Sequence, residues 1–266
     1  VSPLGALAGR GAVVTGGGRG IGAAIVEALA DAGATVIVAS RTAAEVEALA
    51  ASLRARGGRV WGVPCDVADE AQVRTLGARA FQHAGTVDIL VNAAGDAGSA
   101  PFERLTLADW RTMLDAHATG TFLCTRQFAP AMRDRGFGRI VNIASVAGLA
   151  GARYVAHYSA AKHAVVGFTR SVGLELAGSG VTINALCPGY VDTPMTQRTI
   201  ETVVARTGRS PEAALASVLA TASQERLLSP AEVAAATLAL CGPDAAETNG
   251  KAITLMPKGD ACVSRS

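Results

Sequence analysis

The chain is short of the features that mark several large classes of protein. Only 17% of its 266 residues are charged, and Lys and Arg nearly balance Asp and Glu, so the net charge is +2. The basic residues are scattered among the acidic ones, which leaves no electrostatic footprint for nucleic acid or an anionic membrane. No run of about 18 apolar residues occurs, which excludes an ordinary transmembrane helix. The first residues, Val1-Ser2-Pro3-Leu4-Gly5, show none of the charged, apolar and cleavage regions of a secretion signal, so a cytoplasmic protein is expected. The cysteines number five (Cys65, Cys124, Cys187, Cys241 and Cys262), with no C-x-x-C and no paired spacing. That argues against a disulfide framework and against a zinc or other metal site, and reads as reduced, mostly buried thiols. No Pro/Ser-rich linker or charge block interrupts the chain, so one domain spanning 1–266 is expected.

What the chain does have is a hydrophobic half and many glycines. Short apolar runs alternate with longer segments of helical period, the pattern of a parallel sheet covered on both faces. The runs Ala12-Thr15, Thr35-Ala39, Val60-Val63, Ile89-Asn92, Ile140-Ile143, Val181-Leu186 and Ala252-Leu255 are continuous rather than alternating, as doubly buried strands should be. Between them, Ile21-Ala32, Ala43-Arg56, Glu70-Ala84, Leu107-Arg135, Ser159-Ala177 and Ala231-Leu240 read as crossover helices. The fold class is therefore α/β, a doubly wound Rossmann arrangement of seven parallel strands. Gly33 and Gly57 stand where helix C-terminal caps need positive φ, and Ser229-Pro230 opens the last helix. Segment 194–228 is helix-prone and breaks the rhythm, which suggests an inserted lid. Residues 257–266 read as a short polar tail.

After the first strand comes Thr15-Gly16-Gly17-Gly18-Arg19-Gly20-Ile21-Gly22, running directly into a helix. Bare glycine backbone there can approach a pyrophosphate while the helix N-terminus faces its charge. In the usual NAD-binding form the second strand ends in an acid that accepts from the ribose hydroxyls. Here it ends Ala39-Ser40-Arg41, and Arg41 with Arg19 would supply forked donors for a 2′-phosphate. NADP(H) is expected over NAD(H).

Ser145 closes the fifth strand, and Tyr158 and Lys162 follow thirteen and seventeen residues later, their i,i+4 spacing placing them on one helix face. Beyond the carboxyl ends of the strands they would meet the glycine turn and Asn92-Ala93-Ala94-Gly95. An ordinary tyrosine, pKa ~10, is a poor base at neutral pH. Bringing it near neutrality requires about 4 kcal/mol, roughly what an ammonium ~4 Å away contributes at an effective dielectric of ~20. Lys162 is the expected source, with Ser145 donating to a substrate oxygen.

These motifs make the sequence resemble the single-domain short-chain dehydrogenases/reductases over roughly residues 8–256. The family's T-G-x-x-x-G-x-G turn is similar to Thr15–Gly22, and its N-A-G segment to Asn92, Ala93 and Gly95. The resemblance implies catalytic roles for Ser145, Tyr158 and Lys162, the last two also touching cofactor. It implies adenine contacts at Asp66 and Val67 and nicotinamide contacts along Pro188, Gly189, Val191 and Thr193. The family's fourth catalytic residue, an asparagine, falls on His117. The usual N-N-A-G reads N-A-A-G, and Met256-Pro257-Lys258-Gly259 replaces the usual paired glycine. Around Ile143–Ser145 and Tyr158–His163 the chain looks most like 3-oxoacyl reductases and polyketide ketoreductases. A small carbonyl or alcohol substrate is implied, as a CoA or carrier-protein thioester or as a free small or cyclic compound. Gly136 and Ser179 stand where carrier-protein-docking reductases present basic residues. Tyr154, His157, Tyr190 and Met195 are expected to line the pocket. A homotetramer built on the helices Leu107–Arg135 and Ser159–Ala177 is implied too. The competing expectation, a catalytically idle cofactor-binding scaffold, predicts loss of the tyrosine or the lysine; both are present.

Overall fold

The computed structural model describes residues 5–257. Seven strands, β1 (Gly11–Thr15), β2 (Thr35–Ser40), β3 (Arg59–Pro64), β4 (Ile89–Asn92), β5 (Gly138–Ile143), β6 (Val181–Pro188) and β7 (Ala252–Leu255), form one sheet. Their spatial order is β3-β2-β1-β4-β5-β6-β7 and every pairing is parallel. Each expected strand is present within two residues at either end. The central strands β1, β4, β5 and β6 are buried along their whole length, which is why they read as continuous apolar runs.

Helices α1 (Gly20–Asp31), α2 (Ala43–Ala55) and α9 (Pro230–Cys241) cover one face. They bury Ile25, Leu29, Val46, Leu53 and Val233 against β1, β2 and β6. On the other face, α3 (Glu70–Ala84), α5 (Gly120–Asp134) and α6 (Ala156–Glu175) bring Leu76, Phe128, Met132 and Phe168 to a second cluster. Local chemistry fixes the helix ends. The Asp69 carboxylate accepts from the N–H groups of Ala71 and Gln72 to start α3. Ser229 and Glu232 form a reciprocal capping box ahead of α9, with Pro230 in its first turn. Gly33 and Gly57 take positive φ, +91° and +88°, as their positions required.

The expected single helix Leu107–Arg135 is instead α4 (Leu107–Leu114), a π-helical turn Asp115–Thr119, and α5. A π turn inserts one residue into a helix whose axis continues, so the apolar spacing on either side still reads as one segment. At the junction a Cβ on Gly120 would lie 2.5 Å from Val67 Cγ2, so this glycine lets α5 begin against the loop after β3. Helix α6 starts at Ala156 rather than Ser159, which puts Tyr158 inside its first turn. Segment 194–228 holds two helices, α7 (Pro194–Thr207) and α8 (Pro211–Ala220). Thr193 and Ser210 cap them, and a left-handed Gly208 separates them. Of the expected tail only Pro257 is described; Lys258, Gly259 and Cys262 lie outside the described residues.

Candidate active site

Strand order reverses at β1, whose neighbours are β2 on one side and β4 on the other, so a crevice opens beyond their carboxyl ends. There the glycine turn, the ends of β2 and β4, the π turn and the start of α7 enclose a cleft of about 220 Å³. The turn is built for backbone approach. Gly16 and Gly20 have φ of +66° and +56°. A Cβ on Gly22 would sit 2.1 Å from the Gly16 carbonyl oxygen, and one on Gly16 would sit 2.6 Å from that of Ala93. Helix α1 has no side-chain cap and no acid in its first turn, so its leading N–H groups are left for an anion.

Most of the expected cofactor residues line this cleft: the glycine turn with Arg19 and Ile21, Ser40, Arg41, Asp66, Val67, Ala93, Gly95 and Thr193. Arg19 and Arg41 are exposed and have no carboxylate partner among the described residues. On the same cleft, the Ser40 hydroxyl is buried with no hydrogen-bond partner among the described residues. A buried orphan hydroxyl costs free energy unless something fills its valence, and a dinucleotide's ribose or phosphate fits that need. The cleft therefore suits the group the sequence implied.

Asn92 is placed otherwise. Its amide nitrogen donates to Asn142 Oδ1 at 2.8 Å and Thr125 Oγ1 at 3.2 Å, inside the sheet rather than on the cleft. Pro188 ends β6, and Gly189 N donates to the Leu255 carbonyl at 3.0 Å. Val191 is buried and bridges to Leu228, and the backbone of Tyr190 is clamped by Gln224, whose Oε1 accepts from its N–H at 2.8 Å. Glu45, Asp96 and Arg198 line the cleft without having been expected. Arg198 of α7 reaches Asp96 Oδ1 at 3.1 Å, bridging the lid and the loop after β4. Three elements far apart in the chain create that wall, so no local pattern announces it.

Ser145, Tyr158 and Lys162 come together at the end of β5. Ser145 caps a short helical turn, its Oγ accepting from Ala147 N at 3.1 Å. Lys162 is 5% exposed and its Nζ donates to the Ile143 carbonyl at 2.7 Å, 5.6 Å from the centroid of the Tyr158 ring. Burial pushes the lysine down to about 7. Burial raises the tyrosine to about 12, and its contact with the Ser145 hydroxyl only partly opposes that.

His117 sits in the π turn, 3% exposed, with its ring edge-on to Tyr158 at 5.4 Å between centroids. Burial, aided by the nearby Lys162 charge, pushes it down to about 3. Tyr154 stands exposed with φ +67°, its carbonyl accepting from Ala100 N at 2.8 Å, and His157 is buried. The Tyr190 hydroxyl is 3.2 Å from Thr221 Oγ1, and Met195 lines the cleft.

A doubly wound sheet with a phosphate-ready glycine cleft beside a serine, a tyrosine and a lysine defines a nucleotide-dependent oxidoreductase. The family model described as short chain dehydrogenase matches residues 10–203, and the chain belongs to that family. A ketoacyl reductase assigned to the granaticin polyketide synthase of Streptomyces violaceoruber is 39% identical over 246 residues, covering 92% of this chain and 90% of that one. The 3-oxoacyl-[acyl-carrier-protein] reductase of Synechocystis sp. is 41% identical over 193 residues, 72% of this chain and 78% of that one. Among solved structures, a point variant of the actinorhodin polyketide ketoreductase with NADPH superposes with a TM-score of 0.88 at 38% identity, covering 93% of this chain and 95% of that one. The chain is an oxidoreductase of the kind that interconverts a carbonyl and an alcohol with a nicotinamide cofactor.

Proposed function

We propose that the chain is an NADP(H)-dependent ketoreductase whose catalytic residues are Ser145, Tyr158 and Lys162. The observation that carries this reading is their meeting at the end of β5, where His117 packs edge-on against Tyr158 and abuts Gly95 of the glycine cleft. A bound nicotinamide dinucleotide supplies or accepts the hydride. Tyr158, held protonated by its surroundings, donates its phenolic proton to the carbonyl oxygen as negative charge develops there. The Ser145 hydroxyl orients and stabilises that oxygen. Lys162, balanced between its charged and neutral forms near pH 7, hands the next proton to the tyrosine side of the site.

Preference for NADP(H) is supported by the guanidiniums of Arg19 and Arg41 on the same cleft as the orphan Ser40 hydroxyl, and by the absence of an acid at the end of β2. The substrate is a 3-oxoacyl thioester or a cyclic ketone. Carrier-protein docking has little to work with: Arg135 is committed to the Val87 carbonyl and Asp88, and Arg133 lies against Asp134. Relatives include a cis-4-hydroxycyclohexanecarboxylate dehydrogenase of Sinomonas cyclohexanicum and a levodione reductase, which favours a free cyclic compound as the second reading.

The lid is α7 with α8. The assembly is a homotetramer, supported by the apolar side chains Leu107, Trp110, Phe122 and Leu174 left exposed on α4, α5 and α6. A cytoplasmic setting is supported by the four described cysteines, all buried and unpaired. The test is a panel of β-ketoacyl thioesters and cyclic ketones assayed with NADPH and NADH in parallel, with light scattering for the assembly. Turnover faster with NADPH is expected. Equal or better use of NADH overturns the roles of Arg19 and Arg41, and cofactor binding without turnover of any substrate overturns the enzyme reading in favour of a scaffold.

A further inference from the structure

The His117 ring is fixed on three sides. Nε2 lies 2.7 Å from the main-chain oxygen of Asp96. The Asp96 N–H also faces Nε2, at 3.3 Å, but the carbonyl is the nearer partner and can only accept, so Nε2 carries the ring proton and Nδ1 the lone pair. Gly95 supplies the space, since a Cβ at that position would meet Cε1 at 2.0 Å and Nδ1 at 2.5 Å. On the third side the ring stands at 86° to that of Tyr158, an edge-on contact of the favourable kind. Nδ1 is buried and finds no partner within the protein.

We infer that His117 is a positioning residue that braces the Tyr158 ring against the loop after β4, and that it takes no part in moving protons. The inference rests on the reductase reading of Tyr158 and Lys162, and adds to it a role for a side chain that stands where relatives of similar architecture are expected to carry asparagine. A proton carrier must gain and lose a proton at an atom within reach of donor and acceptor. Here the protonated nitrogen is engaged by a carbonyl that cannot return a proton. The titratable groups around the ring are Tyr158 and Lys162 of α6 and the Asp96 carboxylate, which itself faces Arg198. Bracing has a clear purpose. A phenol that swings by about 1 Å from its acceptor costs about a hundredfold in rate, and the tyrosine sits in the first turn of α6, where no side chain caps the helix.

The test compares His117→Phe, His117→Ala and His117→Asn with the parent in two measurements. The first is kcat, KM and the pH profile of ketone reduction. His117→Phe keeps the edge contact and should retain kcat within about tenfold, with the profile unchanged in shape. His117→Ala should lose about a hundredfold in kcat with KM nearly constant, and His117→Asn should recover part of the loss. A His117→Phe variant as impaired as His117→Ala, or one lacking a limb of the parent's pH profile, overturns the inference in favour of proton transfer. The second measurement needs no turnover: titration of Tyr158 by its phenolate absorbance, taken as the difference from Tyr158→Phe. His117→Ala should admit water and bring the tyrosine down from about 12 toward its ordinary value, while His117→Phe holds it up. No difference between the two overturns the bracing role. Failure of the parent to reduce any ketone speaks against the reductase reading alone, since this titration is read independently of it.

Discussion

Replacing Lys162 by methionine should make the protein more stable while abolishing turnover. The unfolded chain holds this lysine at its ordinary 10.5, whereas burial in the fold pushes it down to about 7. Between those values the unfolded state binds more protons, so stability rises with pH, and the penalty is complete below the folded value. At pH 7 it amounts to about 4 kcal/mol. Methionine keeps the unbranched apolar stem and removes the ionisable end, at a cost of about 1 kcal/mol for the hydrogen bond that Ile143 loses. The net gain is about 3 kcal/mol, or a melting temperature higher by about 10 °C. Urea melts followed by circular dichroism at pH 6, 7, 9 and 10.5 would show the gap between variant and parent shrinking as the pH rises. A variant less stable than the parent at pH 7, or a gap that does not change with pH, refutes the argument.

Tyr158→Phe should lower kcat by about 10² to 10⁴, with NADPH affinity unchanged by fluorescence titration. Gly22→Ala places a methyl 2.1 Å from the Gly16 carbonyl oxygen, backbone that cannot swing aside; about 1–3 kcal/mol of stability and most NADPH binding should be lost, as thermal melts with and without cofactor would show. Glu45 brings a carboxylate oxygen to 3.1 Å from the Gly18 Cβ position, the same distance as the Ser40 hydroxyl. It should therefore repel a 2′-phosphate, and Glu45→Gln should tighten NADPH relative to NADH by about fivefold, roughly 1 kcal/mol, measurable as a ratio of dissociation constants.

Strands were readable to within two residues because burial on both faces leaves an uninterrupted apolar signature, with glycines or polar residues at the ends. Helix caps were readable for the same local reason: Gly33, Gly57 and Ser229 act on neighbours a few residues away. The π turn was invisible because a single extra residue at 115–119 leaves the periodicity on both sides intact. Within the site, spacing placed Tyr158 and Lys162 on one face of α6 but could not say where the amine points. It points at Ile143, while burial raises the tyrosine. Asn92 was assigned to the cleft from its place in a motif, whereas its amide satisfies Asn142 and Thr125 within the sheet. Glu45, Asp96 and Arg198 carry no local signature, since only the folded chain brings them to the same opening.

The Asp96–Arg198 pair spans that opening with both side chains about half exposed. Charges so well hydrated contribute at most about 1 kcal/mol, so thermal motion alone parts them for at least roughly a sixth of the time. The clasp needs no trigger to release. The opening is therefore not latched by this pair, and it parts with the sheet and its helices undisturbed.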